Sequence, residues 1–150
     1  TSEGKRVLRE RMRAWTHAVS GTSRLMELTL TFEAQGAPLT IEGSRERGKS
    51  YGGLCIRFAP RTETKITTSE GAVKDQDLVK HAWAEMEAKY AGKKAALRVD
   101  GDPRNPGHPS DWCLREYGFV GASYPGHPAA TLEPGKPLTL RYRVMVEDRG

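Results

Sequence analysis

The stretch Leu25-Met-Glu-Leu-Thr-Leu-Thr-Phe32 decides the fold. Leu25, Glu27, Thr29 and Thr31 alternate with Met26, Leu28, Leu30 and Phe32, the period of two of a strand with one buried face. Working outward, Gln35-Gly-Ala-Pro38 reads as a turn, Leu39 to Glu42 as a short strand and Gly43 to Lys49 as an exposed charged loop. Upstream, Arg6 to Ala18 has mixed character. It can be drawn as a basic helix, but it ends in an aromatic, β-branched stretch leading to Gly21, and we read it as a strand.

The same alternation recurs downstream. From Tyr51 to Phe58, Leu54, Ile56 and Phe58 share one face, while Tyr51, Gly53, Cys55 and Arg57 share the other; the paired glycines are expected to leave open surface beside Arg57. Thr64 to Thr68 reads as a short strand. Val73 to Tyr90 is ambiguous: Val79, Trp83, Met86 and Tyr90 recur at helical spacing, whereas Ala84, Met86, Ala88 and Tyr90 alternate. Ala95 to Val99 is a strand, and Asp100 to Pro109 is a long loop rich in Pro and Gly. Asp111 to Phe119 sets Trp112, Leu114 and Glu116 against Cys113, Arg115 and Tyr117. Leu138 to Val146 sets Leu138, Leu140, Tyr142 and Val144 against Thr139, Arg141, Arg143 and Met145. Many short strands joined by Gly and Pro turns predict an all-β antiparallel sandwich, with one short helix near 75–90 as the open variant.

Composition bounds the rest. A chain of 150 residues makes one domain, 1–150, and neither a repeat period nor a low-complexity tract divides it. No apolar run reaches the roughly 18 to 20 residues of a membrane span. The net charge of +5 gathers at Lys5 to Arg13 and at Arg45-Glu-Arg-Gly-Lys49, but acids interleave elsewhere and no nucleic-acid motif with spaced aromatics is present. Thr1 opens without an initiator Met or a leader, which leaves localisation open, extracytoplasmic included. Cys55 and Cys113 allow one disulfide, although two buried thiols are the plainer expectation. His17, His81, His108 and His127 are well separated and never spaced i, i+4, so no metal site or cofactor is expected.

At Tyr51-Gly-Gly-Leu-Cys-Ile-Arg-Phe58, Trp83-Ala-Glu85, Asp102 to Gly118 and Leu132 to Val144 the chain resembles the later portion of the bacterial PmoA-like family, over roughly Trp15 to Val146. The resemblance implies an antiparallel sandwich similar to those of sugar mutarotases and polysaccharide lyases, an association with carbohydrate processing, and a strand at Trp83. The copper-oxygenase activity in the family's label finds no support in this chain's residues. The family's early paired-histidine motif has no counterpart here; if catalysis in the family needs those histidines, this chain alone would be inactive or would be half of a site completed by other polypeptide.

Strand parity puts Arg57, Arg115 and Tyr117 on the faces that carry cysteine. If those faces are shared, they form a polar patch that, with Trp112, suits a sugar: guanidinium bonds hydroxyls and an aromatic ring takes the C–H face. The plainer alternative is that the arginines pair with carboxylates such as Asp111 or Glu116 and that Trp112 fills the core. His108, beside Asp111 in the loop, is the one candidate proton-transfer group, and Asn105 either contacts a ligand hydroxyl or holds the turn. Glu85 and Glu87 lie side by side, which gives no evidence of a glycosidase pair. Carbohydrate recognition or processing is the leading expectation, with binding ahead of turnover. The alternatives are an interaction module completed by a second copy or a partner chain, and a metal-dependent oxidative enzyme.

Overall fold

The computed structural model describes residues 4–44 and 51–150. Most of the Gly43 to Lys49 loop, with its basic run, lies outside the described residues. Among the described residues the chain forms thirteen strands and no helix. In chain order they are β1 (Leu8–Thr16), β2 (Ser23–Ala34), β3 (Leu39–Ile41), β4 (Leu54–Arg57), β5 (Thr62–Thr68), β6 (Gly71–Val73) and β7 (Gln76–His81). There follow β8 (Trp83–Tyr90), β9 (Lys93–Gly101), β10 (Ser110–Arg115), β11 (Phe119–Ser123), β12 (Ala130–Leu132) and β13 (Leu138–Asp148).

These strands make an antiparallel sandwich. A seven-stranded sheet runs β1-β2-β13-β9-β8-β5-β6, a four-stranded sheet runs β4-β11-β10-β7, and β12 pairs with β3 in a small ribbon. The core lies between the two larger sheets, where inward positions of β2 (Leu28, Leu30), β8 (Ala84, Met86) and β13 (Leu140, Tyr142, Val144) meet Trp112 and Leu114 of β10 and Val120 of β11. Fully burying each of the larger aliphatic side chains contributes about 2 kcal/mol relative to leaving it exposed.

The alternation expected for β2 and β13 places the expected residues inward. The helical spacing at 73–90 dissolves: Val79 belongs to β7 in one sheet and Trp83 to β8 in the other. Trp83 to Tyr90 pairs with β5 on one side and β9 on the other, and its even positions, Ala84, Met86 and Ala88, are buried. Two ladders and a buried period-two face outweigh the helix propensity of Ala, Glu and Lys.

Two further expectations are corrected. The stretch Asp111 to Phe119 is not one strand, because Glu116 to Gly118 turn the chain, with Gly118 at φ 107°, and Phe119 opens β11. Gly52 and Gly53 do not border open surface: a Cβ at either would collide with the carbonyl of Tyr124 or Ala122. That close approach lets β4 sit against Tyr142, whose ring oxygen is hydrogen-bonded by the Leu54 backbone, tying the two sheets together.

β1 differs from the other strands. It pairs with β2 alone, and beyond Leu8 its residues are exposed, Met12 and Trp15 among them. No helix among the described residues is long and apolar enough to cross a membrane.

Candidate functional site

Register answers the question that strand parity left open. Arg57 of β4 pairs with Phe119 of β11, and Phe119 pairs with Arg115 of β10; Cys55, Gly121 and Cys113 align in the row beside them. Arg57 and Arg115 therefore share the outer face of the four-stranded sheet, two strands apart. The cysteines are also two strands apart, roughly 9 to 10 Å, beyond the reach of a disulfide. Both are thiols, Cys113 buried and Cys55 exposed.

That face is packed rather than open. Arg115 is buried: Nη1 donates to the carbonyls of Gln76 (2.6 Å) and Leu114 (2.8 Å), and Nη2 donates to Asp77 Oδ1. Burial opposes its charge, and the hydrogen bond to Asp77 overcomes that opposition, leaving the pKa raised on balance. Phe119 lies between the arginines, with the Arg57 guanidinium 5.2 Å over its ring and Tyr51 meeting it edge-on at 5.2 Å. A side chain on Gly121 would collide with the Phe119 ring, so glycine there is what admits the aromatic. Tyr117 is exposed in the turn and is hydrogen-bonded by the Tyr51 side chain.

Three nominated residues fall elsewhere. Trp112 is fully buried on the opposite face of β10, and its Nε1 donates to the His81 carbonyl at 2.7 Å, so it is a core residue and not a contact surface. Asn105 is buried with both ends of its amide in use: Nδ2 donates to the Arg141 carbonyl and Oδ1 accepts from the Arg141 N–H, each at 2.7 Å. It holds the loop to β13. His108 lies at the far end of β10 from Arg115, roughly 20 Å along the chain. Its buried Nδ1 has no hydrogen-bond partner among the described residues and faces Gly101 from the inner side of β9. The patch proposed from parity therefore retains Arg57, Arg115 and Tyr117, loses Trp112, Asn105 and His108, and has its central arginine sealed.

The outer face of the seven-stranded sheet carries a different arrangement. Trp15, Glu27, Arg143, Asp100 and Trp83 stand directly opposite one another in one row across β1, β2, β13, β9 and β8. The neighbouring row aligns Arg13, Thr29 and Arg141. Beside these rows the loop after β9 raises Asp102 to Arg104 as a wall, closing a cleft of about 590 Å³ whose lining includes Glu27, Thr29, Asp100, Asp102, Arg104, Arg141 and Arg143. The wall is pinned to its floor, because the Asp102 N–H donates to the Arg141 carbonyl (3.1 Å) alongside the Asn105 clamp.

Charge in the cleft is largely paired. Asp100 accepts from Arg98 Nε at 3.1 Å and Nη2 at 2.5 Å, and that guanidinium lies 4.0 Å over the Trp83 ring. Asp102 accepts from Arg104 Nε (2.8 Å), Nη2 (2.7 Å) and backbone N (2.8 Å); these bonds, with Arg141 nearby, hold its carboxyl well below the usual range. Arg143 reaches Glu27 at 3.4 Å. Arg141 has no side-chain hydrogen bond or ion pair among the described residues. Nor do the described residues contain a cluster of three or more His, Cys, Asp or Glu able to hold a metal ion.

Sequence alternation had put Arg141 and Arg143 on one face of the last strand and Glu27 and Thr29 on one face of the second. What it lacked was the register joining those strands to β1, β9 and β8.

The fold and this cleft define an antiparallel β-sandwich protein with a charged, aromatic-flanked groove on the outer face of its larger sheet. By sequence the chain belongs to a family of unknown function, DUF6807, whose model matches residues 1–150. No curated protein and no solved structure matches it.

Proposed function

We propose that the protein recognises carbohydrate, and that the ligand lies in the groove on the outer face of the seven-stranded sheet rather than on the face of Arg57 and Arg115. One observation carries the proposal: three guanidinium and three carboxylate groups line one concavity, and three of them, Glu27, Arg143 and Asp100, share a cross-strand row with the exposed Trp15 ring. Sugar hydroxyls donate to carboxylates and accept from guanidinium groups, and a pyranose C–H face packs on indole. The row from Trp15 to Trp83 spans four strand spacings, about 19 Å, the scale of a short oligosaccharide.

The chemistry favours binding over turnover. Each groove carboxylate already accepts from an arginine, which keeps Asp102 in particular ionised, whereas a general acid must hold a proton near neutral pH. His108, the nominated proton carrier, is on the other side of β9. The resemblance of Asp102 to Gly118 and of Leu132 to Val144 to the PmoA-like family, with its sugar-associated sandwich relatives, points in the same direction as an analogy of fold.

Screening on a glycan array followed by calorimetry tests the reading. Binding at sub-millimolar Kd that Trp15→Ala weakens and Arg57→Ala leaves alone supports it. Binding abolished by Arg57→Ala and unchanged by Trp15→Ala overturns it.

A second reading rests on β1, which offers one unpaired edge and exposed Met12 and Trp15, with exposed Val19 just beyond its end. An edge of this kind is completed by a strand from a second copy or another chain. Sedimentation at high concentration tests it: self-association that Ala14→Pro, at an edge-facing N–H, abolishes supports this reading, and a monomer throughout rejects a second copy as the occupant.

A further inference from the structure

We infer that the groove selects sugars bearing a carboxylate, and that Arg141, with Arg13 across Thr29, is the site that takes it. The inference rests on the carbohydrate reading and names the class of ligand. Of the guanidinium groups in and beside the cleft, Arg98, Arg104 and Arg143 each form an ion pair, whereas Arg141 forms none among the described residues and only stands near Asp102, whose carboxylate Arg104 holds. Arg13, which occupies the same cross-strand row, likewise has no ion pair among the described residues, and Thr29 stands between the two with its hydroxyl on the same face.

The spacing suits an anion. Arg13 and Arg141 are separated by two strand spacings, roughly 9 to 10 Å between backbones, so both long side chains can lean over Thr29 toward one carboxylate. The Trp15 row is two residues further along the strands, about 7 Å away. A pyranose resting on Trp15 thus places an exocyclic carboxylate over the Arg13, Thr29 and Arg141 row. A neutral sugar would leave Arg13 without a counter-charge, and Arg141 with only the Asp102 carboxylate that Arg104 already holds.

Arg141 is also held ready. The buried Asn105 amide bonds both its N–H and its carbonyl, and the Asp102 N–H adds a second bond to that carbonyl, so the backbone beneath the guanidinium is fixed before ligand arrives. Asn105 is therefore a positioning residue in this account. Preorganisation of this kind reduces the ordering cost of binding.

The test is calorimetry on the intact chain with hexamers of galacturonate and of mannuronate, their fully methyl-esterified forms, cellohexaose, and polyglutamate as a non-sugar polyanion. The expected result is that at least one uronate binds ten-fold or more tighter than its own ester. The preference shrinks with added salt, falls below three-fold in Arg141→Ala, and is partly restored in Arg141→Lys. Asn105→Ala weakens uronate binding while leaving ester binding within two-fold. Equal binding of acid and ester, or a preference that survives Arg141→Ala, overturns this inference and leaves carbohydrate recognition standing. Polyglutamate binding as tightly as the uronates overturns it by reducing the groove to a general anion patch. Absence of binding to every saccharide overturns the carbohydrate reading itself.

Discussion

On the outer face of the four-stranded sheet, Arg115 is covered on all sides and spends its donors on Asp77 and two backbone carbonyls. On the outer face of the seven-stranded sheet, Arg141 occupies an equivalent alternating position of β13, and its guanidinium is left to the groove. Residue type and strand parity are the same. What differs is whether the face is covered: β10 and β11 are buried on both sides, so a charge there must be neutralised and hydrogen-bonded within the protein. β13 is buried on one side only, and the pairs on its open side are set by cross-strand register. An arginine on a strand is thus a structural element or a recognition element according to its neighbours.

Substitutions sharpen this contrast, beginning with the largest effect. Trp112→Ala removes a fully buried indole and its bond to the His81 carbonyl, and should cost about 4 kcal/mol in chemical denaturation. Arg115→Ala should cost about 3 kcal/mol, because the Gln76 and Leu114 carbonyls lose their donor in a dry setting. Asp77 is half exposed and contributes little of that loss. Asn105→Ala, which orphans the Arg141 N–H and leaves its carbonyl to the Asp102 N–H alone, should cost about 2 kcal/mol and raise hydrogen exchange in the loop from Asp102 to Pro109.

A pH scan tests the buried side of the comparison in another way. Burial lowers the His81 pKa, and its Nε2–H donates to Gln76 Oε1 at 2.7 Å, leaving Nδ1 as a bare acceptor. With the folded-state pKa depressed, the unfolded chain takes up the proton first as pH falls. Stability should be full above about pH 6.5 and decline below it toward the folded-state pKa, by at most about 1.4 kcal/mol per pH unit. His81→Gln should remove that part of the slope. The smallest effect belongs to the open face: Arg141→Ala should change stability by less than about 0.5 kcal/mol, since no side-chain hydrogen bond or ion pair among the described residues is lost.

Much of the architecture was legible from periodicity alone. β2 and β13 present the faces their alternation implied, and the hydrophobic positions of β8 resolved as a strand once two neighbouring ladders were available to it. Parity put Arg57 and Arg115 on the cysteine-bearing faces of their strands, and only register makes those faces one. Parity carries no information about what covers a face, and for that reason Arg115 resembled a ligand contact before its carbonyl partners were seen. Alternation sets Trp112 on the face of Leu114, but its burial depends on the seven-stranded sheet packing over that face, and its partner, the His81 carbonyl, on β7 pairing beside β10. The groove was least accessible: Trp15, Glu27, Arg143, Asp100 and Trp83 come from five strands that meet only through long-range pairing, and no local pattern encodes their register. For Asn105 the sequence offers both a ligand contact and a turn-holding role; its amide bonds the backbone of Arg141, a partner 36 residues away that no local pattern names.

The most direct test of the account is backbone and side-chain chemical-shift mapping of the labelled protein titrated with the tightest-binding saccharide of the panel. The account predicts shifts at the Trp15 indole N–H, Thr29, the Arg141 Nε–H and the loop from Asp102 to Asn105, with Arg57, Tyr117 and Phe119 unmoved. Shifts concentrated at Arg57, Tyr117 and Phe119, with the Trp15 and Arg141 signals unchanged at saturation, would contradict it.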